Sequence, residues 1–110
     1  MQAITAIVRP EKVMTVQDAL TAAGFNALTK WSVSGRGKEK GIKVGEVLYQ
    51  EMSKFMFYIV VEDEDKDTVV DIIMEHAKTG EQGNPGDGRI FVNPVTESYT
   101  VSKQQKDLRS

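Results

Sequence analysis

The 110-residue sequence has no cysteine. That excludes disulfides, cysteine-ligated zinc and thiol nucleophiles. A single histidine cannot build a histidine-rich metal site or, alone, a catalytic centre. Charge of one sign is not in excess. Fourteen Lys and Arg stand against sixteen Asp and Glu, a net charge of −2. A general polyanion binder would be basic, so nucleic acid is not an expected partner. No apolar run approaches the roughly 20 residues of a membrane span. Met1-Gln2-Ala3-Ile4 has neither the basic region nor the apolar stretch of a signal peptide. The expectation is one soluble, cytoplasmic domain over residues 1–110.

What is present is 40% apolar composition, enough for a core. Residues 3–8 are short, apolar and β-branched, which predicts a buried strand. Arg9-Pro10-Glu11-Lys12 opens a helix, because proline suits the first turn, where its missing N–H is not needed. Val13, Val16, Leu20 and Ala23 follow at spacings of three and four, one buried face, and Gly24 closes the helix. Residues 27–34 alternate, with Ala27, Thr29, Trp31 and Val33 on one face and Lys30, Ser32 and Ser34 on the wet one. Residues 55–61 are all apolar or aromatic, a central strand. Glu62-Asp63-Glu64-Asp65 starts a second helix at its positive dipole end; the spacing of a calcium loop is absent. Val69, Val70, Ile73 and Ala77 form its stripe, Gly80 its cap, and His76 lies solvated or facing the dipole near its end. Residues 89–92 make a last strand, and a polar tail frays from about 103 to 110.

The order β-α-β-β-α-β predicts an α+β, ferredoxin-like sandwich: an antiparallel sheet, both helices on one face, and a long loop between strands 2 and 3. Two helices cover only one face. Yet Phe55, Phe57, Ile59 and Val61 alternate with Met56, Tyr58 and Val60, so the second face is apolar too. A bare face of that kind is a large patch, and each buried side chain is worth about 1.5–3 kcal/mol. Other subunits are therefore expected to cover it.

Two glycine-rich segments carry candidate chemistry. Gly35, Gly37, Gly41 and Gly45 punctuate the loop of about residues 37–53, with Lys38, Lys40 and Lys43 among them. Backbone N–H groups and lysines there suit an anion; a solvated hairpin loop is the equal alternative. The second segment, Gly80-Glu81-Gln82-Gly83-Asn84-Pro85-Gly86-Asp87-Gly88-Arg89, could wrap a phosphate with Arg89 as a forked partner. Asn-Pro and Asp-Gly also make ordinary turns.

As a set, these residues resemble a known family. Ile4-x-Ala6-Ile7-Val8-x-Pro10, Ala19-Leu20-x-x-Ala23-Gly24, Gly35-x-Gly37-x-x-x-Gly41, Ile59-Val60-Val61-Glu62-Asp63, Ala77-Lys78-Thr79-Gly80 and Gly86-Asp87-Gly88-Arg89-Ile90-Phe91-Val92-x-Pro94-Val95 look like the PII nitrogen-regulatory signal proteins. The resemblance runs from residue 2 to about 103. Arg9-Pro10-Glu11-Lys12, Ala27-Leu28-Thr29-Lys30 and Gly35-Arg36-Gly37-Lys38 are similar to the branch linked to nitrogen-fixation genes. It implies a homotrimer, possible mixing with a paralogue, and clefts between subunits that bind ATP or ADP. With ATP and Mg2+ they can also bind 2-oxoglutarate. The long loop, the family's T-loop, engages a target protein, for this branch nitrogenase.

Carried over by position, the resemblance implies nucleotide contacts from Ile7, Ala27, Thr29, Gly35, Gly37, Lys38, Val60, Gly86, Asp87, Gly88 and Arg89. It implies a 2-oxoglutarate site from Glu39, Lys40, Gly41 and Lys54, with Glu39 at the magnesium position. Lys38 and Arg89 keep the family's charge with the other basic residue. Glu39 replaces a usual glutamine: a carboxylate there would hold magnesium more strongly and repel an anionic ligand. Thr100 and Ser102 stand where the family carries phosphate-clamping arginines, with Lys103 adjacent, and Tyr58 replaces an acidic cleft residue. Two lost cationic contacts would cost about 1.5–3 kcal/mol each. The T-loop is shorter than usual and the glycine loop longer, and Tyr49 lacks the context of the family's modified tyrosine.

The expected function is a non-enzymatic sensor, in which ligands select between T-loop conformations. The alternative is a PII-like trimer with a degenerate cleft, acting as an interaction module or binding another small ligand. No convergent nucleophile, base and anion pocket supports an enzyme.

Overall fold

A computed structural model describes residues 1–38 and 49–107, with backbone alone for residues 37, 38 and 49–51. The elements are β1 (Gln2–Val8), α1 (Val13–Ala22), β2 (Thr29–Lys38), β3 (Tyr49–Val61), α2 (Lys66–Ala77), β4 (Gly88–Pro94), β5 (Tyr99–Thr100) and β6 (Gln105–Lys106). Single 3-10 turns at Pro10–Lys12, Asp63–Asp65 and Val101–Lys103 precede α1, α2 and β6. β1 to β4 form one antiparallel sheet in the order β2-β3-β1-β4. This is the expected ferredoxin-like α+β arrangement. β5 and β6 make a separate small hairpin.

The core lies between the sheet and the helices. Ile4, Ala6 and Val8 of β1 and Phe57, Ile59 and Val61 of β3 meet Val13, Val16 and Leu20 of α1 and Val69, Ile73 and Ala77 of α2. The period of two on the strands and the spacing of three and four on the helices place these residues on facing surfaces. α1 ends in a Schellman closure: the Phe25 N–H donates to the Leu20 carbonyl at 2.9 Å and the Gly24 N–H to that of Thr21 at 3.0 Å. Gly24 takes φ +95, which a glycine accepts without strain.

Several expected boundaries shift. Ala27 lies before β2, not in it, and Ala23 is the exposed cap of α1 rather than part of its buried face. β2 and β3 extend into a ribbon, pairing Val33 with Lys54, Gly35 with Met52 and Lys38 with Tyr49. Both flanks of the loop expected over 37–53 are therefore strand. What remains between them, including Glu39, Lys40, Gly41, Lys43 and Gly45, lies outside the described residues. α2 stops at Ala77 with Lys78 extended, so Gly80, at φ +69, turns the chain beyond the helix rather than capping it. The Thr79 N–H is directed to the Asp87 carboxylate instead. Residues 103–107, expected to fray, belong to the β5–β6 hairpin. Gln104 turns it at φ 51, and Asp107 accepts from the Ser98 and Thr100 hydroxyls.

The face of the sheet away from the helices is open in the single chain. Trp31, Tyr58 and Phe91 on it are 43%, 40% and 47% exposed, beside exposed Val60.

Candidate functional site

The site grows from the end of β1. Arg9 precedes a proline, which holds it extended (φ −66, ψ 143). Its side chain crosses to the glycine-rich loop that joins α2 to β4. There its Nε donates to Asp87 Oδ1 at 2.9 Å and its Nη2 to the Pro85 carbonyl at 3.0 Å.

Asp87 is the hub of that loop. Besides Arg9, its carboxylate accepts from the Thr79 N–H (2.9 Å), the Thr79 hydroxyl (2.7 Å) and the Asn84 N–H (2.8 Å). The Asp87 N–H returns a bond to the Asn84 carbonyl, closing a turn, and Asn84 Nδ2 donates to the Thr79 carbonyl and hydroxyl. Burial raises the pKa of Asp87, but the donors from Asn84, Thr79 and Arg9 outweigh it and hold the carboxyl well below the usual range. A carboxylate so occupied serves the loop's shape.

Two glycines set the path of the backbone. Gly86 has φ +95, and a Cβ there would lie 3.0 Å from Arg9 Nη2. Gly88 has φ +132, and a Cβ there would lie 1.9 Å from the Ile7 carbonyl oxygen. Only glycine allows that approach of loop to β1. Lys54, on the ribbon, donates from Nζ to the Gly86 carbonyl at 2.5 Å. Arg89 is exposed and paired across from Ile7. Two cations, Lys54 and Arg89, thus flank a loop of tightly specified backbone whose Asp87 charge is met by Arg9, an arrangement suited to an anion. A cleft of about 240 Å3 beside it is walled by Ile7, Ile73, Met74, Ala77, Gly88 and Ile90.

The residues expected to form one site separate into two groups in a single chain. Ile7, Lys54, Gly86, Asp87, Gly88 and Arg89 come together at the ribbon end of the sheet, and the backbone of Gly35, Gly37 and Lys38 continues along the ribbon from there. Thr29 sits on the far edge strand opposite Tyr58, with Ala27 before it, and Val60 pairs with Ala3 toward the other end. β3 and β1 stand between Thr29 and β4. Glu39, Lys40 and Gly41 lie outside the described residues. Thr100 is present, but its hydroxyl is committed to Asp107 at 2.5 Å. Among the described residues no cluster of three or more His, Asp or Glu could hold a metal.

Sequence reasoning placed Arg9 at the head of a helix and in a family motif, Thr79 in another such motif and Asn84 in the glycine-rich segment, but assigned none of the three to the site. The Asn-x-x-Asp spacing of residues 84–87 was the local signal for an Asx-type turn. Nothing local pairs Arg9 with a residue 78 positions later.

Fold and site together define a ferredoxin-like domain with an anion-suited glycine loop beside an apolar sheet face. The comparisons narrow this to one family. The family model described as "Nitrogen regulatory protein P-II" matches residues 1–105. The chain is 50% identical over 108 residues to the nitrogen fixation nifHD region GlnB-like protein 1 of Methanothermobacter marburgensis, covering 98% of this chain and all of that one. It is 49% identical over the same length and coverage to the protein of that name in Methanobacterium ivanovii. Nitrogen regulatory protein P-II 2 of Methanothermobacter thermautotrophicus is 43% identical over 105 residues, 92% of this chain and 89% of that one. The chain belongs to the P-II family of nitrogen regulatory proteins.

Proposed function

We propose that this chain is a trimeric nitrogen-regulatory sensor that binds ATP or ADP between subunits and signals to a target protein through the β2–β3 loop. The observation that carries the reading is the separation of the site residues. Thr29, Ala27 and Val60 are too far around the sheet to join Gly86, Gly88 and Arg89 in one copy. A head-to-tail ring would bring the Thr29 end of one subunit to the glycine loop of the next, and rings of this kind close on themselves. Such a ring would also cover Trp31, Tyr58, Val60 and Phe91, whose exposure is otherwise unexplained.

The loop fits a polyphosphate. Backbone around Gly86 and Gly88 and the charge of Arg89 would hold its oxygens, with Lys38 added from the ribbon. Mg2+ would be carried by the phosphates with Glu39. For 2-oxoglutarate, Lys54 would exchange the neutral Gly86 carbonyl for a carboxylate, a stronger partner. The names of the relatives place them in nitrogen-fixation gene regions. Nitrogenase is therefore the target we propose, in a cytoplasmic setting and without catalysis by the chain itself.

One observation favours a second reading, a trimer whose cleft has lost nucleotide and serves as an interaction module. Thr100 stands where a cation would clamp phosphate, and its hydroxyl is already spent on Asp107. Calorimetric titration of ATP and ADP with Mg2+, each with and without 2-oxoglutarate, separates the two. Saturable nucleotide binding strengthened by 2-oxoglutarate supports the sensor; silence on a folded assembly supports the module.

A further inference from the structure

We infer that Arg9 is a positioning residue: it fixes the glycine loop in the shape that receives phosphate without touching the nucleotide. The inference rests on the nucleotide reading above and adds to it a residue and a mechanism.

The loop from 78 to 87 has no regular secondary structure and turns through positive φ at Gly80, Gly83 and Gly86. Each glycine adds freedom that must be lost before the loop has one shape. Its internal network of Thr79, Asn84 and Asp87 makes a closed knot, but a knot can still swing as a unit. Arg9 ties it to the body. Two donors of the planar guanidinium are used, Nε for the Asp87 carboxylate and Nη2 for the Pro85 carbonyl, so position and orientation are set together. The pair is partly shielded, with side chains 27% and 16% exposed, which strengthens a charged contact relative to a fully exposed ion pair. The backbone of Arg9 is held on both sides. Val8 before it is buried in β1, and Pro10 after it fixes the entry to α1. The second anchor is Gly88, pressed against the Ile7 carbonyl one residue beyond the knot. Gly86 lies between the two anchors, so its backbone is held from both sides.

The test uses the full-length protein and two variants, Arg9→Gln and Arg9→Lys. Amide hydrogen exchange of residues 79–88 reads the loop without any ligand. Calorimetry with ADP and with AMP reads its use, because a loop that serves the distal phosphate affects ADP more than AMP. Arg9→Gln is expected to speed exchange at Thr79 and Asn84 and to weaken ADP about tenfold while AMP changes little. Arg9→Lys restores the charge without the fork and recovers part of the ADP affinity. A general loss of structure would instead weaken both nucleotides alike. If Arg9→Gln does not fold, Thr79→Val removes the hydroxyl's bonds to Asp87 and Asn84, leaves the Thr79 N–H on Asp87, and is expected to act in the same direction with smaller effect. Unchanged exchange, or equal loss for ADP and AMP, overturns the inference. A native chain that binds neither nucleotide overturns the reading beneath it, and does so in the titration arm, apart from the exchange result.

Discussion

Gly88 is the most constrained residue of the candidate site. A methyl group there would overlap the Ile7 carbonyl, and φ +132 is costly for any other residue. Gly88→Ala is expected to lower stability by about 3 kcal/mol, read by denaturant unfolding, because the β1–β4 pairing must shift to admit the methyl. The sequence marked this position as glycine but not the reason, since the clash is with a residue 81 positions away. Asp87 gives a pH signature. Its carboxyl is held below the usual range in the folded chain, so it contributes stability above the ordinary Asp pKa of about 3.9. That contribution is lost as the pH falls from there through the folded value. Native protein should therefore keep this part of its stability from pH 8 to 5 and lose it in stronger acid. Asp87→Asn should be less stable at pH 7, with a smaller loss on acidification, by thermal melts across the range.

At the scale of elements, legibility followed local signals. The closure of α1 at Gly24 could be read because a glycine after a periodic apolar stripe is a local cap. The ribbon could not. It pairs Ser34 with Ser53 and Gly35 with Met52, residues with no hydrophobic alternation to fix a register. The β5–β6 hairpin was missed for a related reason. Its turn uses Gln104 in the left-handed region rather than glycine, and a side chain, Asp107, holds its strands. The Ser98 and Thr100 hydroxyls also lower the Asp107 pKa. Asp107→Ala is expected to speed amide exchange across residues 99–106 while the main melting transition moves little, because the hairpin stands apart from the core. A fall in the main transition comparable to a core substitution would show that the hairpin supports the sheet.

At the scale of the molecule, the sandwich was readable because both helices and β3 carry clean periodicities. The open second face was readable from one strand. Every residue from 55 to 61 is apolar, yet the chain supplies helices for one face only. The candidate site was half legible: the glycine loop by its residue types, its anchoring by Arg9 not at all. Val60→Asp puts a charge on the open face. If a trimer covers that face as proposed, the native protein should sediment at three chain masses and this variant at the mass of a single chain. The claim that most needs testing is that each ligand cleft is shared between copies. The direct measurement is complementation. Thr29→Lys blocks one half of the proposed cleft and Arg89→Glu the other, and each homogeneous assembly should be silent to ADP in calorimetry. Assemblies refolded from an equal mixture should regain ADP binding in a fraction of their clefts, where a native Thr29 end meets a native glycine loop. Mixed assemblies as silent as their parents would contradict a shared cleft.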